Sequence, residues 1–441
     1  MPIHGMKAAD LTPLDSRGRI LPARDTVLAG VQLDGNFIVL SPNVRSFSYR
    51  IDLDPTNSKR FGIPMPRIGA ETDLMDGAYF FVLPLVGRDY ASQWRTPLKI
   101  RLYFHNSGRQ LVGTDPVVSF DNNYELMFVR AVYDPLSSNT FSMRNHDVTT
   151  YSTSPDSVNT TAFNGLLEKC ILLVEDSILP FPLHHYYVGE NPVFWGIEGS
   201  QGYWVRAAAQ IYPAVQVHEL VHTFVGIYGG EYEDPWYKEG MTDYIGNLLP
   251  FQTGLISIAN FVDDMLWVRD SVPAVGSFSL SDPYVRTHLF MPLDSGYIDQ
   301  NNPVNFVQLV YGKGAQVSMI LDRFILERSN RKYSVFSLVR DLKQRFSPAF
   351  HRRDLVQLVG EYTHEDASEF LTSLLDRASP ISKDSLDHTF AALQALGRFS
   401  PAFPPGTLLS PKVSSAANGD AKTKVEKGSI QNEYRHQEEK F

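Results

Sequence analysis

The stretch from residue 215 to residue 224, VQVHELVHTF, constrains this chain more than any other part of its sequence. On an α-helix, residues four apart lie about 400° apart around the axis, so they share one face. His218 and His222 have this spacing, and their imidazoles can therefore reach one metal ion. Glu219 lies about 100° away, where its carboxylate can reach a water on the metal without being a ligand. The pattern predicts a zinc site with Glu219 as general base.

The rest of this stretch predicts a buried helix. Pro213 suits a helix start, and Gly229-Gly230 suits a stop. With 12 histidines in 441 residues, a chance HExxH is the alternative, expected in roughly a few per cent of such chains. The stripe opposite the histidines is apolar at helical spacing and predicts a core-facing side; it consists of Ala214, Val217, Val221 and Phe224.

A second helix follows and carries the candidate third ligand. Asp234 as N-cap and Pro235 at the first helical position predict its start, and we expect it to end at Leu249, before Pro250.

Glu239 and Asp243 lie four residues apart on this helix, and two acids at that spacing repel each other. The pair is explained if Glu239 binds the metal and Asp243 accepts a proton from a ligating histidine. A solvated acidic face is the alternative. Apolar and aromatic neighbours predict that the helix is buried instead; they are Trp236, Met241, Tyr244 and Ile245.

The whole chain predicts an α+β protein. Residues 1–30 show little periodicity and predict a loose arm, and residues 31–150 contain short β-rich runs that predict an antiparallel β domain. Residues 138–160 are rich in Ser, Thr, Asn and Asp, which predicts an interdomain link. Helical patterns recur through residues 261–400, and residues 401–441 predict disorder.

Composition limits the partners and the compartment. The net charge is −9 with no basic block, so nucleic acid is not expected as a partner. No apolar run is long enough to predict a membrane span, and no signal peptide is visible. The single cysteine, Cys170, lies in an apolar helical run and predicts a buried thiol in a reducing, cytoplasmic compartment.

Four motifs in order give the chain a resemblance to a known group. HELVH followed by WYKEGMTDY resembles the gluzincin zinc metallopeptidases, closest to the glycyl aminopeptidase family and with motifs shared with the aminopeptidase N/leukotriene A4 hydrolase family. Upstream, GIEGS at residues 196–200 resembles their substrate-binding edge strand. Downstream, YGKG at residues 311–314 resembles their YxKG segment. The chain departs from both families near the substrate cleft, since only sixteen residues separate His222 from Glu239 and Gly199 follows Glu198.

The resemblance implies a thermolysin-like catalytic domain over residues 151–260, followed by a helical C-terminal part, with one Zn²⁺ per chain held by His218, His222 and Glu239. It implies that Tyr311 stabilises the tetrahedral intermediate. It also implies that Glu198, on the edge strand that begins at Gly196, binds the substrate α-ammonium. A core tyrosine and a surface strand glutamate are the structural alternatives for Tyr311 and Glu198.

Three functions follow as hypotheses. The first is a zinc-dependent metallopeptidase, specifically an aminopeptidase acting on peptides. The second keeps the metal but acts on a small non-peptide molecule such as an epoxide, amide or ester. The third is a non-catalytic binding or scaffold protein with a vestigial site; the joint presence of ligands, base and tyrosine counts against it.

Overall fold

The structure is a computed structural model. It describes residues 11–14, 46–49, 73–76, 100–104, 108–120, 129–152, 160–190, 196–199, 201–205, 212–225, 236–261, 265, 279–281, 308–346 and 350–399. Helices and sheets are both present, in agreement with the predicted α+β class. Among the described residues, the strands belong to one compact unit, and the helices from residue 213 onwards belong to a second. The two units do not coincide with the predicted domain boundaries, which remain a prediction.

The strands form four sheets within the described residues. They are β1 (Leu11–Leu14), β2 (Ser46–Tyr49), β3 (Asp73–Asp76), β4 (Ile100–Tyr103), β5 (Leu111–Val112), β6 (Val117–Phe120), β7 (Arg130–Tyr133), β8 (Ser137–Met143), β9 (His146–Ser152), β10 (His185–Glu190), β11 (Gly196–Gly199) and β12 (Gly202–Val205). Strands β1 and β2 pair, as do β4 and β6, and a third sheet has the order β3-β7-β5; all these pairings are antiparallel. This agrees with the antiparallel β character predicted for the first part of the chain.

The fourth sheet is mixed and has the order β11-β12-β10-β9-β8. Strand β10 runs parallel to β9 and β12, whereas the other pairs are antiparallel. Strands β8 and β9 occupy most of the region predicted as a link, so that prediction is wrong for residues 138–143 and 146–152. Threonine is β-branched and fits a pleated strand, and Thr140 pairs with Thr149 across the two strands with their hydroxyl oxygens 2.7 Å apart.

The predicted loose arm also needs correction, because Leu11–Leu14 form β1 and pair with β2. Leu11 lies opposite Tyr49 and Leu14 lies opposite Ser46. The backbone groups of this four-residue strand pair with those of β2, more than 30 residues further along the chain. Pairing over such a distance leaves no periodic signal in the sequence. The predicted disordered tail, Gly229-Gly230 and the Asp234-Pro235 helix start lie outside the described residues.

The helices are α1 (Thr160–Ser177), α2 (Pro213–Val225), α3 (Thr242–Gln252), α4 (Gly314–Arg328), α5 (Val335–Phe346), α6 (Arg352–Thr363), α7 (Ser368–Leu375) and α8 (Lys383–Ala395). Helix α2 begins at Pro213 as predicted. Val217, Val221 and Phe224 are buried, as predicted from their spacing, and Ala214 is half-buried. None of the described helices combines the length with the apolar character that crossing a membrane requires.

Two six-residue π-helical turns precede α3 and α4; they are π1 (Trp236–Met241) and π2 (Gln308–Lys313). Neither was predicted, because their i→i+5 hydrogen bonds change the winding without changing composition. The predicted stop before Pro250 is wrong, since α3 continues to Gln252. Proline removes its own N–H bond and crowds the carbonyl of residue i−4, but the carbonyl of Pro250 still accepts a hydrogen bond from Leu255 at 2.8 Å.

A buried polar group, here called the Asp322 cluster, holds α3 to α4 and α5. Asp322 is 0% exposed and accepts hydrogen bonds from Tyr244 Oη at 2.8 Å and Arg398 Nε at 2.7 Å. It also accepts from the backbone N–H of Val335 at 3.0 Å. The guanidinium of Arg398 lies 4.2 Å from the ring centroid of Phe336. These bonds compensate the cost of burying two charges and fix the helix that carries Asp243.

Candidate metal centre

The two imidazoles of α2 converge inside the helical unit. Nε2 of His218 lies 3.0 Å from Nε2 of His222. His222 is almost fully buried, and the side chain of His218 is 13% exposed. Their ring centroids are 4.7 Å apart. One helical turn between the residues explains this convergence, because both side chains leave the same face of the helix.

Glu239, from π1, directs a carboxylate oxygen at the same point. Its Oε2 lies 3.4 Å from Nε2 of His222 and 3.8 Å from Nε2 of His218. The side chain is 6% exposed. Two imidazole nitrogens and one carboxylate oxygen therefore meet in a buried position, which is the donor set that zinc prefers over calcium or magnesium.

The separations within this set, here called the histidine cluster (His218, His222 and Glu239), fit a metal ion. Ligands placed about 2.0–2.1 Å from zinc in tetrahedral geometry lie roughly 3.3–3.4 Å from one another. The three observed separations of 3.0, 3.4 and 3.8 Å bracket that value. The two Nε2 atoms and Oε2 of Glu239 are therefore directed at one position, which a single cation can share.

Glu219 lies beside the histidine cluster. A carboxylate oxygen of Glu219 and one nitrogen of each imidazole all lie within 4.8 Å of one another. That grouping would allow Glu219 itself to be a ligand. Oε2 of Glu239 is within 3.8 Å of both Nε2 atoms, so each of the two carboxylates lies within reach of a cation at the cluster. Glu219 remains 5% exposed and close enough to act on a molecule bound at the cluster.

Asp243 orients the first imidazole. Its Oδ1 lies 2.9 Å from Nδ1 of His218, so it can accept the Nδ1 proton and leave the Nε2 lone pair directed at the cluster. Gly246 allows α3 to approach α2 this closely, because a Cβ there would stand 3.1 Å from Cα and Cβ of His218. A larger residue would separate the carboxylate from the imidazole.

The two π-turns position Glu239 and Tyr311 together. A Cβ on Gly240 would lie 2.4 Å from backbone atoms of Gly314, so only glycine permits this contact. The glycines of WYKEG and YGKG are therefore the points where these two motifs pack. The ring of Tyr311 lies parallel to that of His218, with centroids 6.1 Å apart. Tyr311 is thus beside the histidine cluster, and its ring is half-buried rather than enclosed in a core.

The electrostatics of the cluster favour bound positive charge. Burial disfavours the imidazolium, but the hydrogen bond to Asp243 and the nearby carboxylates Glu239 and Glu219 raise the pKa of His218 well above 6.5. Burial also opposes the charge of Glu239, yet Lys238 and the two histidines hold its pKa well below 4.5. An ionised carboxylate and a histidine held in a strongly negative field are what a cation site requires.

Three features here were missed from the sequence. Lys238 lies 3.3 Å from Oε1 of Glu239 and is nearly buried. Gly240 and Gly314 make the backbone contact between the π-turns, and Gly246 makes the contact between α2 and α3. The glycines carried a signal, because glycine inside a helical pattern indicates close backbone approach. Lys238 carried none, since consecutive residues on a helix do not face each other.

Gly196 and Glu198 lie in β11, at the edge of the mixed sheet, where Glu198 pairs with Tyr203 of β12. The side chain of Glu198 lies outside what the structure describes, so its role remains a prediction. Cys170 is fully buried, and burial raises the pKa of its thiol to about 12. A thiol in that setting is structural, as its apolar sequence context predicted.

Comparison with known proteins shows a likeness in fold. A scan against models of protein families finds no match, and neither does a search of curated proteins. The crystal structure of an aminopeptidase N family protein from Idiomarina loihiensis matches with a TM-score of 0.57 at 16% identity, over 72% of this chain. This chain spans 61% of the length of that protein.

A second match is the crystal structure of an M1 zinc metallopeptidase from Deinococcus radiodurans. Its TM-score is 0.50 at 14% identity, and the match covers 76% of each chain. At identities this low, the two likenesses show that the chain shares the fold of M1 peptidase structures.

Proposed function

We propose that this protein is a zinc-dependent metallopeptidase, specifically an aminopeptidase of the gluzincin type. The observation that carries the proposal is the convergence of two imidazole nitrogens and one carboxylate oxygen within 3.0–3.8 Å. The fold shared with M1 peptidase structures supports it. We propose the layout implied by the resemblance: a β domain over residues 31–150, a thermolysin-like catalytic domain over residues 151–260 and a helical part over residues 261–400.

The positions of the residues support the roles that we propose for them. His218, His222 and Glu239 would hold Zn²⁺, which polarises a substrate carbonyl and makes a bound water acidic. Glu219 takes the proton of the attacking water and returns it to the leaving amine. Asp243 keeps the Nδ1 proton of His218 in place, so that the opposite nitrogen stays free to coordinate.

Tyr311 supplies a hydrogen-bond donor beside the site. Its phenol can donate to the oxyanion that develops on the substrate carbonyl. The parallel arrangement of its ring with that of His218, at 6.1 Å, supports this role over that of a core tyrosine. The backbone contact between Gly240 and Gly314 keeps the distance between Tyr311 and Glu239 fixed.

Metal content is the direct test. Protein purified without chelator is expected to contain about one zinc per chain, because a buried site with three such donors binds zinc strongly. His222→Ala removes a fully buried donor and should abolish that zinc while the chain stays folded. Apo-protein that cannot be reconstituted, or His222→Ala with full zinc, would contradict the assignment.

Substrate choice is tested separately. If Glu198 binds a free α-ammonium, an aminoacyl amide should be cleaved and its N-acetylated form spared. Glu198→Ala should then raise KM for the free amine and narrow the gap between the two substrates. Equal cleavage of both by the wild-type protein would indicate endopeptidase action. Cleavage of neither, with zinc bound, would favour a small non-peptide substrate, for which the short segment between His222 and Glu239 is the supporting observation.

A further inference from the structure

A buried ammonium lies against the carboxylate of the histidine cluster. Nζ of Lys238 is 3.3 Å from Oε1 of Glu239, and the Lys238 side chain is 7% exposed. The other oxygen of Glu239, Oε2, is the one that faces both imidazoles. The two carboxylate oxygens are thus divided between two partners, one cationic side chain and one metal-binding position.

This contact is built by the local fold. Side chains of consecutive residues diverge by about 100° on an α-helix and do not meet. In π1, Nζ of Lys238 nonetheless reaches Oε1 of the neighbouring Glu239. The hydroxyl of Thr242, itself fully buried, donates to the backbone carbonyl of Lys238 at 2.5 Å and anchors that residue.

Burying an ammonium is costly unless a charge compensates it. Lys238 is nonetheless almost fully inside the protein, next to a carboxylate that also faces the imidazoles. A solvated lysine at this position would avoid that cost, whereas the ammonium of Lys238 lies inside the protein against Oε1 of Glu239.

We propose that Lys238 is a positioning residue that holds Oε1 of Glu239 and leaves Oε2 alone for the metal. The inference rests on the proposed zinc function. Glu239 would then hold the metal through Oε2, the oxygen that faces both imidazoles, and a position would remain for substrate or water. The fixed positive charge also opposes a cation at the cluster, so the site binds its metal less tightly than its three donors would allow.

Substitution of Lys238 tests this directly through zinc affinity, measured by competition with a chelator on the full-length chain. Lys238→Met removes the charge, frees the second oxygen and should tighten zinc binding by about 10-fold or more, since unit charges several ångströms apart interact strongly at a buried site. Lys238→Arg keeps the charge and should stay within about 3-fold of wild type. A residue that served only to support the fold would loosen zinc binding when replaced.

Coordination number gives a second readout, independent of activity. In the cobalt(II)-substituted protein, d–d absorption weakens as coordination number rises. Lys238→Met should weaken that absorption, because Glu239 can then bind through both oxygens, whereas Lys238→Arg should preserve it. Lys332→Met is the matched control, because Lys332 is exposed and lies over the ring of Tyr333 instead; both readouts should match wild type.

The outcomes separate this inference from the proposed function. Zinc affinity of Lys238→Met equal to or weaker than wild type, with unchanged cobalt absorption, overturns the positioning role and leaves the zinc assignment intact. Wild-type protein that binds no zinc overturns both. Thermal melting verifies that Lys238→Met is folded, and Lys238→Gln serves the same comparison should Met not be accommodated.

Discussion

The Asp322 cluster and the histidine cluster are both contacted by α3, through the adjacent residues Tyr244 and Asp243. They differ in how their polar atoms are arranged. Tyr244 joins the Asp322 cluster, where both oxygens of Asp322 accept hydrogen bonds from donors of the chain. Asp243 supports the histidine cluster, where two Nε2 atoms and a carboxylate oxygen face a common point. A closed network indicates a structural role, whereas two imidazole nitrogens and a carboxylate oxygen directed at one point have the arrangement of a cation site.

The largest expected effect is a loss of kcat on substitution of Glu219, beside the histidine cluster. Glu219→Gln keeps the size of the side chain but removes the base, so kcat should fall by about 10²- to 10³-fold. Zinc content and melting temperature should stay at wild-type values, because the change lies outside the ligand set. Glu327→Gln, on the surface of α4, is the control and should be silent. Wild-type turnover in Glu219→Gln on an established substrate would show that another group is the base.

For Asp322, we expect substitution to lower stability rather than turnover. Asp322→Ala leaves the guanidinium of Arg398 buried and unpaired and should lower the free energy of unfolding by about 3–5 kcal/mol. Denaturant unfolding measures this, with Glu361→Ala as the control. Glu361 pairs with Arg345 at the surface, where both side chains are about two-fifths exposed, and its loss should cost about 0–1 kcal/mol.

Replacing both charges of the Asp322 cluster tests whether the unpaired buried charge causes the loss of stability. Asp322→Leu with Arg398→Met should recover most of the lost stability, because neither buried charge then lacks a partner. Zinc content should be unaffected in the double variant. Loss of zinc in the double variant would mean that the two clusters are coupled through α3.

The histidine cluster was more predictable from the sequence than the Asp322 cluster, for a physical reason. One helical turn separates His218 from His222, and another separates Glu239 from Asp243, so local spacing places these side chains on shared faces. Asp322 and Arg398 are 76 residues apart, and no local period reports such a contact. The π-turns were likewise invisible, because they alter winding rather than composition.

The strands show the same limit. Residues 138–152 were predicted as a link from their Ser and Thr content, yet β8 and β9 lie there because partner strands satisfy their backbone. Strand pairing depends on distant partners, so polar strands resemble loops when they are considered alone. The helix that carries His218 and His222 escaped this problem, because its apolar face and its two imidazoles share one short period.

Tyr311 tests whether a donor beside the histidine cluster acts in chemistry or in packing. Tyr311→Phe removes only the hydroxyl and should lower kcat by about 10²-fold with little change in KM, if that hydroxyl meets the oxyanion. Tyr333→Phe is the matched control, since Tyr333 is half-buried and stacks on Tyr362 with ring centroids 4.3 Å apart. A lower melting temperature with unaltered kinetics in Tyr311→Phe would assign the residue to packing.

The buried ammonium of Lys313 donates a hydrogen bond to the backbone carbonyl of Arg377 at 2.5 Å. Burial and then the nearby Arg377 lower the pKa of Lys313 from 10.5 to about 8. The unfolded chain therefore binds more protons between those values, and stability should rise with pH from about 8 to about 10.5. Stability should rise by about 3 kcal/mol over that range, and Lys313→Met should remove the rise. Identical pH profiles of unfolding in the two proteins would contradict this.

The smallest effect is expected for Tyr244, which ends the motif WYKEGMTDY that also contains Glu239. Its substitution therefore tests whether the two clusters on α3 have separate roles. Tyr244→Phe removes one donor to Asp322, while Arg398 and the N–H of Val335 remain. Burial and the neighbouring Asp322 raise the pKa of Tyr244, so the phenol is a neutral donor and its loss should cost about 1–2 kcal/mol of stability. Zinc affinity and kcat should change by less than about 2-fold. If kcat falls as far as in Tyr311→Phe with stability unchanged, Tyr244 belongs to the catalytic site, and the division between the two clusters on α3 is wrong.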